Sequence, residues 1–254
     1  YRGKLKETTQ LGVELINDAT TNGDAEILAL TIECLLASGL TEFQVEIGHV
    51  DLYQGFIEEA GFSEEEAYRF RSLCNSKNIF GVEEMVDAKE MPAGLKEVLR
   101  KLPDLFGTKE ILTFAKERSN HEKVHHAIER LEKLYETLAT YGLEKYVTFD
   151  LALTSEYQYY TGIIFKGYTY GNGEPIVTGG RYDSLLKQFH KDSPAVGMVI
   201  LLDQLQLTLE RQNKLEDVCR NAVLLYHSEC RNTAIRLAGH FRKDETNLAL
   251  IRKS

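Results

Sequence analysis

The order in which the predicted elements follow one another constrains the fold of this chain most. Period-two patterns predict strands from about Lys4 to Ile16 and over Glu42 to Val50, with a helix at about Asp24 to Ser38 between them. Helical patterns, broken at Gly61-Phe62-Ser63, between Asn78 and Gly81 and at Pro92-Ala93-Gly94, then fill the stretch from about Leu52 to Tyr141. Strand patterns dominate from there on. Because helices and strands are grouped and do not alternate, the sequence predicts an α+β fold with an antiparallel sheet flanked by helices.

Strand patterns return in the second half of the chain. The segments "KYVTFDLAL", "YYTGIIFKGYTY" and "PIVTGG" predict three strands, and Asn172-Gly173 between the last two is a strong hairpin signal. The segment "AVGMVILLDQL" predicts a strand that runs into a helix ending near Asn213. A strand, a helix and a second strand follow. We therefore predict a core of residues 1–213 and a partial C-terminal α/β domain of residues 219–254.

Composition limits the function classes. With 43% apolar and 27% charged residues, the chain has the make-up of a soluble globular protein. It has no apolar run of membrane-spanning length and no charged-then-apolar leader at its start. A net charge of -9 argues against nucleic acid as a partner, because phosphate binding needs a basic face. The four scattered cysteines show no metal spacing, so we expect free thiols, a cytoplasmic location, and neither metal nor cofactor.

Two segments in the sequence carry side chains suited to binding. In "KETTQLGVELI", Gln10 and Glu14 share one strand face, and a carboxylate beside an amide offers oxygen acceptors to an α-ammonium group. An exposed polar strand face would have the same pattern. In "YQYYTGIIF", Tyr159 and Tyr160 are adjacent, and successive strand residues face opposite ways, so we expect only one of them to face a given pocket. Tyrosine pairs are also typical of packing.

Two further segments combine glycine with an apolar or charged sequence. In "TGGRYDSLL", the glycines permit close backbone approach, and Arg181, Tyr182 and Asp183 follow at the turn into a helix. A hairpin end with Asp183 as a helix cap is the alternative. In "SPAVGMVILLDQL", Gly197 inside an apolar strand indicates either close packing against the backbone or a bulge. The glycine segment is no P-loop, because the spacing and the terminal Lys-Ser/Thr are missing.

In this order, the four segments resemble the core of the histidine-specific class II aminoacyl-tRNA synthetases. The motifs "YYTGIIF", "GGRYDSLL" and "PAVG" carry the resemblance, which covers most of residues 1–213. It implies the class II synthetase fold. In that family the glutamine and glutamate of the first segment hold the substrate α-amino group, and two tyrosines lie around the imidazole. The resemblance therefore implies a histidine-binding site formed by Gln10, Glu14, Tyr160 and Tyr182.

The sequence departs from the synthetases where they contact ATP and the reacting carboxylate. Ser155 and Gln204 stand where the synthetases have arginines, and neither carries the charge needed to clamp a triphosphate. Lys4 and Lys6 match two further arginines and keep the charge, but they lose the planar guanidinium. We therefore predict that the histidine pocket is retained and that no aminoacyl-adenylate is formed.

This combination is similar to the regulatory subunits of ATP phosphoribosyltransferase, which are synthetase-like and work with a short-form catalytic subunit in the first step of histidine biosynthesis. Thr8, where the synthetases have phenylalanine, and the acidic charge agree with that family. The resemblance implies a non-catalytic, allosteric role. It also implies three partners: the catalytic subunit, a second copy of the protein, and free histidine. In the family, the first class II motif precedes the first segment, so we expect it before Tyr1. An active histidine–tRNA ligase and a synthetase-like histidine or tRNA sensor domain are the alternatives.

Overall fold

A computed structural model of the chain describes residues 7–154, 159–215, 222–243 and 248–253. The chain divides into two compact units, Tyr1–Asn213 and Lys214–Ser254. Among the described residues, no helix combines the length and the apolar character that crossing a membrane requires. Lys4, Lys6 and Ser155 lie outside the described residues.

The larger unit is built on one sheet. Seven strands of its described part form this sheet, in the order β1-β7-β6-β5-β2-β4-β3. They are β1 (Gln10–Ile16), β2 (Phe43–His49), β3 (Phe106–Gly107), β4 (Val147–Asp150), β5 (Ile163–Thr169), β6 (Val177–Arg181) and β7 (Ala195–Leu201). Neighbouring strands are antiparallel except for β2 and β4, which are parallel. The predicted antiparallel sheet of an α+β fold is confirmed.

Helices surround this sheet. The helices of the larger unit's described residues are α1 (Thr21–Ala37), α2 (Val50–Glu59), α3 (Glu64–Asn75), α4 (Ile79–Asp87), α5 (Ala93–Lys101), α6 (Glu110–Lys116), α7 (Glu122–Thr140) and α8 (Leu202–Arg211). The structure has three breaks between α2 and α5, as predicted, but the second lies before Ile79, where α4 begins with Asn78 as its cap, and not between Asn78 and Gly81. At the first of them, Ser63 and Glu66 form a capping box that starts α3. Helix α1 begins three residues before the predicted start because the Thr20 hydroxyl accepts from the Gly23 N–H.

One face of the sheet forms the core with α1 and α7. The apolar stripe of α7, which includes Val124, Leu131 and Leu138, is fully buried, as its amphipathic pattern predicts. On the sheet, alternate residues of β2 such as Val45 and Ile47 are buried on the same side. Because these helices cover one face, the side chains that point the other way are left for a binding site.

The smaller unit consists of a strand, a helix and a second strand. Strand β8 (Ala222–Tyr226) and strand β9 (Leu248–Arg252) pair in parallel, and α9 (Arg231–Lys243) lies between them in the sequence. A parallel pair needs a crossover connection, which α9 provides. This is the strand–helix–strand pattern that the sequence predicts.

The predicted strand that contains the tyrosine pair is too long. Strand β5 begins at Ile163, so Tyr159 and Tyr160 precede it and do not belong to it. Their ring centroids are 4.5 Å apart. Successive strand residues point to opposite faces, so two adjacent rings in a strand could not make this contact. The expectation that only one tyrosine of the pair faces a given pocket was therefore wrong, because it assumed that both lie in a strand.

Candidate amino-acid-binding site

Two paired glycines form the floor of the candidate site. Gly197 of β7 lies between Glu14 of β1 and Gly180 of β6, its direct partners on the neighbouring strands. A Cβ atom at Gly197 would lie 1.8 Å from the Glu14 carboxylate, and one at Gly180 would lie 2.7 Å from the Tyr160 ring. Both side chains therefore lie directly over glycine backbone. Gly197 serves close packing and not a bulge, because its pairing is continuous on both sides.

A cluster of three tyrosines lies beside the exposed Glu14 side chain, and one of them binds it directly. The Tyr182 hydroxyl donates a hydrogen bond to it. The Tyr159 ring meets the Tyr182 ring edge-on, with 5.9 Å between the ring centroids, and its centroid lies 4.5 Å from that of Tyr160. Burial, together with the hydrogen bond to Glu14, raises the pKa of Tyr182. At neutral pH Tyr182 is therefore a protonated donor, and the carboxylate accepts from it.

Gln10 stands apart from this cluster. It lies on the same face of β1 as Glu14, but four residues along an extended strand separate the two Cα atoms by roughly 13 Å. The Gln10 amide is exposed and lies 3.4 Å from the Thr8 hydroxyl. Of the four predicted site residues, the structure thus brings together Glu14, Tyr160 and Tyr182, with Gln10 at the rim. Tyr159, which is not among the four predicted site residues, joins them.

The buried Arg181 side chain supports the site through hydrogen bonds to three aspartates. Only 1% of it is exposed, and its Nε donates to Oδ1 of the fully buried Asp24 at 2.7 Å. Arg130 donates to the other Asp24 oxygen, also at 2.7 Å. Arg181 further donates to the Asp18 carbonyl at 2.8 Å and to Asp183 at 3.0 Å. These bonds join the end of β6 to the start of α1.

The contacts of Arg181 have two consequences. They fix the backbone that carries Tyr182, the next residue. They also show that Asp183 does not cap the following 3-10 turn (Leu185–Phe189). Its carboxylate binds Arg181, and the N-cap position of that turn is Ser184, which makes no side-chain cap. The capping alternative for Asp183 was therefore wrong.

Gln204 has a structural contact in place of a charge. It lies in the first turn of α8, and its Oε1 accepts from the Asn172 amide at 3.0 Å. Asn172 also donates to the Thr208 hydroxyl at 3.2 Å. The Gln204 side chain thus ties the β5–β6 connection to α8. Within the described residues, no group of three or more His, Cys, Asp or Glu side chains is placed to hold a metal ion.

His49 is a buried neutral group beside this network. It is 6% exposed at the end of β2, and its Nδ1 accepts from the Asp51 N–H at the start of α2. Burial, with the charges of Arg130 and Arg181, lowers the pKa of His49 to about 3. In the unfolded chain a histidine has a pKa of about 6.5. As the pH falls below that value, the unfolded state binds the proton first, and stability is lost until the folded pKa is reached.

We expect His49→Asn to flatten this pH dependence. Asparagine keeps an acceptor for the start of α2 but takes up no proton. Between pH 6 and pH 4.5, the unfolding free energy of the variant should fall less steeply than that of the wild type, by about 1 kcal/mol per pH unit. Urea unfolding at several pH values measures both slopes. Equal slopes would show that His49 titrates normally in the folded chain.

The antiparallel sheet, its helical cover on one face and the glycine floor on the other define a protein of the class II aminoacyl-tRNA synthetase type. A profile of the family described as "Histidyl-tRNA synthetase" matches residues 2–205. The chain therefore belongs to the histidyl-tRNA synthetase family.

Several proteins that are similar to this chain are named differently from the matched family. The chain is 38% identical over 242 residues to a protein of Acetivibrio thermocellus named ATP phosphoribosyltransferase regulatory subunit, covering 95% of the chain and 58% of that protein. A protein of the same name from Caldanaerobacter subterraneus subsp. tengcongensis is 39% identical, with 95% and 64% covered. The chain thus spans less than two thirds of the length of these relatives.

A solved structure agrees with these similarities. The structure from Bacillus halodurans described as an "ATP phosphoribosyltransferase regulatory subunit/histidyl-tRNA synthetase" superposes with a TM-score of 0.81 at 36% identity. The superposition covers 99% of this chain and 64% of the chain in the solved structure. This similarity confirms the predicted class II synthetase-like fold.

Proposed function

We propose that the chain is the synthetase-like part of an ATP phosphoribosyltransferase regulatory subunit that binds free histidine without activating it. The observation that carries the proposal is the similarity to proteins of that name along 95% of the chain. The uncharged side chains at both synthetase arginine positions, Ser155 and Gln204, support it. A triphosphate needs a charged clamp, and Gln204 is already bound to Asn172.

The amino-acid site supports histidine as the ligand. We propose that Glu14 and Gln10 hold the α-ammonium and that Tyr160 and Tyr182 frame the imidazole. The Tyr182 hydroxyl orients the carboxylate of Glu14, which can still accept from a ligand at its other oxygen. For Gln10 to take part, its amide must turn from Thr8 toward Glu14. The Tyr160 ring over Gly180 supplies an aromatic wall.

The proposed partners follow from the same role. The regulatory subunit associates with itself and with a short-form ATP phosphoribosyltransferase catalytic subunit in the cytoplasm. Histidine then acts as the feedback signal. This requires that histidine prefer one of two states of the assembly, since equal affinity for both states would shift nothing.

Glu14→Gln tests the site. The variant keeps the shape of the side chain but removes the charge that pairs with the ammonium, so histidine binding should weaken by about 1.5–3 kcal/mol. In the complex with the catalytic subunit, the histidine concentration needed for inhibition should rise by the same factor as the dissociation constant of histidine. Calorimetry and a phosphoribosyl-transfer assay measure the two effects.

Glu26→Gln is the matched control, because it removes the same charge from an exposed position on α1. It should bind and inhibit like the wild type. If Glu14→Gln also does so, this site does not carry the feedback signal.

A histidine–tRNA ligase is the second candidate, since the matched family and the Bacillus halodurans structure both carry that name. Histidine-dependent exchange of pyrophosphate into ATP separates the two functions, because only a ligase forms the adenylate. Capture of a purified short-form phosphoribosyltransferase separates the regulatory subunit from a free-standing sensor domain.

A further inference from the structure

The Asn-Gly dipeptide occurs twice in this chain, at Asn22-Gly23 and at Asn172-Gly173. Asparagine is a thermolabile residue, and a following glycine, which has no side chain, leaves its own backbone nitrogen open to the asparagine side chain. The two dipeptides have the same local sequence but lie in different surroundings. The structure therefore distinguishes between two sites that the sequence presents as equal.

Asn22-Gly23 lies in the first turn of α1, where the backbone is fixed. The Gly23 N–H donates to the Thr20 hydroxyl, which caps the helix. Gly23 is buried, and a Cβ atom built on it would lie 3.0 Å from Cγ of Asp18. A reaction at the Gly23 nitrogen would require this turn of the helix to open first.

Asn172-Gly173 lies in the connection between β5 and β6, outside the helices and strands. Gly173 is exposed, and a Cβ atom built on it would have no heavy atom within 4 Å. Within the part of the chain that the structure describes, its N–H donates no hydrogen bond. Unlike the Gly23 nitrogen, the Gly173 nitrogen is therefore open to reaction.

The side chain of Asn172 is held by α8. Its amide nitrogen donates to Oε1 of Gln204 at 3.0 Å and to the Thr208 hydroxyl at 3.2 Å. Its Oδ1 accepts from the Glu174 N–H at 3.2 Å. Since the side chain must turn toward the Gly173 nitrogen before the two can react, the bonds to α8 oppose the reaction. Breaking one such bond costs a factor of about five in rate.

We propose that Asn172 is a site of spontaneous deamidation and that its contacts with α8 set the rate. The Gly173 nitrogen attacks Cγ of Asn172 and forms a cyclic imide, and the side-chain nitrogen leaves as ammonia with the proton of the Gly173 amide. Water then adds to one of the two imide carbonyl carbons and breaks its bond to the nitrogen. The product is aspartate, or isoaspartate where the backbone carbonyl carbon is attacked.

Deamidation changes the contact between the β5–β6 connection and α8. A carboxylate only accepts hydrogen bonds, so both donations from residue 172 to α8 end, and a negative charge is added next to Gln204. Isoaspartate also inserts a methylene group into the main chain of the connection. The reaction does not depend on the proposed histidine binding.

Peptide mapping by mass spectrometry tests the proposal on the whole chain after incubation in mildly alkaline buffer, which favours the deprotonated amide nitrogen as nucleophile. Asn172 should convert at least tenfold faster than Asn22, whose reaction needs the helix to open. Gly173→Ala, whose added methyl group has open space in the fold, should slow the conversion of Asn172 at least tenfold. Equal rates at Asn172 and Asn22, or wild-type conversion in Gly173→Ala, would overturn the assignment of the site.

Two substitutions on α8 test the control of the rate by this helix. Gln204→Ala and Thr208→Val each remove one acceptor of the Asn172 amide and should speed its conversion about fivefold. Gln206→Ala is the matched control, because Gln206 is exposed on the same helix and binds Glu210. It should leave the rate unchanged. If the two α8 variants, shown to be folded by a cooperative thermal transition, convert Asn172 no faster than this control, the contacts with α8 do not set the rate and the proposal is overturned.

Discussion

Replacing Arg181 with methionine will lower the unfolding free energy of the chain by about 3–5 kcal/mol. The guanidinium of Arg181 is buried, and its loss leaves the fully buried Asp24 carboxylate with Arg130 as its remaining charged partner. The Asp18 carbonyl loses its donor at the same time. Urea unfolding of the wild type and the variant measures the difference.

A double variant distinguishes a lost charge pair from lost packing. Replacing both members of a buried ion pair by apolar residues is often close to neutral, while removing one is strongly destabilising. Asp24→Leu combined with Arg181→Met should therefore be more stable than the sum of the two single changes predicts. If Arg181→Met alone costs less than about 1 kcal/mol, Arg181 is not the structural support of the site.

Gly197→Ala will weaken histidine binding by about 3–4 kcal/mol, which corresponds to roughly 100- to 1000-fold. The added Cβ would overlap the Glu14 carboxylate at 1.8 Å. Because that carboxylate is the end of a flexible side chain, it can move away, and the fold survives. The proposed ammonium acceptor then leaves its place, and Tyr182 loses its hydrogen-bond acceptor.

Gly12→Ala is the matched control for this substitution. Gly12 lies on the same face of β1 as Glu14, two residues away, and an added Cβ would meet the Met198 carbonyl oxygen at 3.4 Å. This is nearly an ordinary contact, so histidine affinity should change little. Calorimetric titration of both variants gives the comparison. Wild-type affinity in Gly197→Ala would place the ligand away from the glycine floor.

The sequence predicted what depends on local pattern. The amphipathic stripe of α7 and the breaks at Gly61 and Pro92 are local features, and the structure confirms them. The start of β5 was predicted too early. Tyrosines favour strands, so the strand pattern continues N-terminally beyond Ile163, where β5 begins in the structure. Propensity could not show that the two rings pack against each other.

The support of the site depends on distant pairing, which a single sequence does not display. Arg181 and Asp24 are 157 positions apart, and nothing in the local pattern connects them. Likewise, the placement of Glu14 over Gly197 follows from the register of β1 on β7. The resemblance to a family suggested Glu14, Tyr160 and Tyr182 as neighbours. It assigned no role to Tyr159 or to Arg181.

Calorimetric titration of the chain with L-histidine, run in parallel with ATP–pyrophosphate exchange, tests the central claim most directly. We predict saturable binding of one histidine per chain and no histidine-dependent exchange. At a free histidine concentration of about 100 times the dissociation constant, the free energy of unfolding should rise by about 2.7 kcal/mol. If the wild type shows histidine-dependent exchange and the Tyr182→Ala variant does not, the predicted loss of the activation chemistry is contradicted. The absence of any heat or thermal shift would contradict the retained pocket.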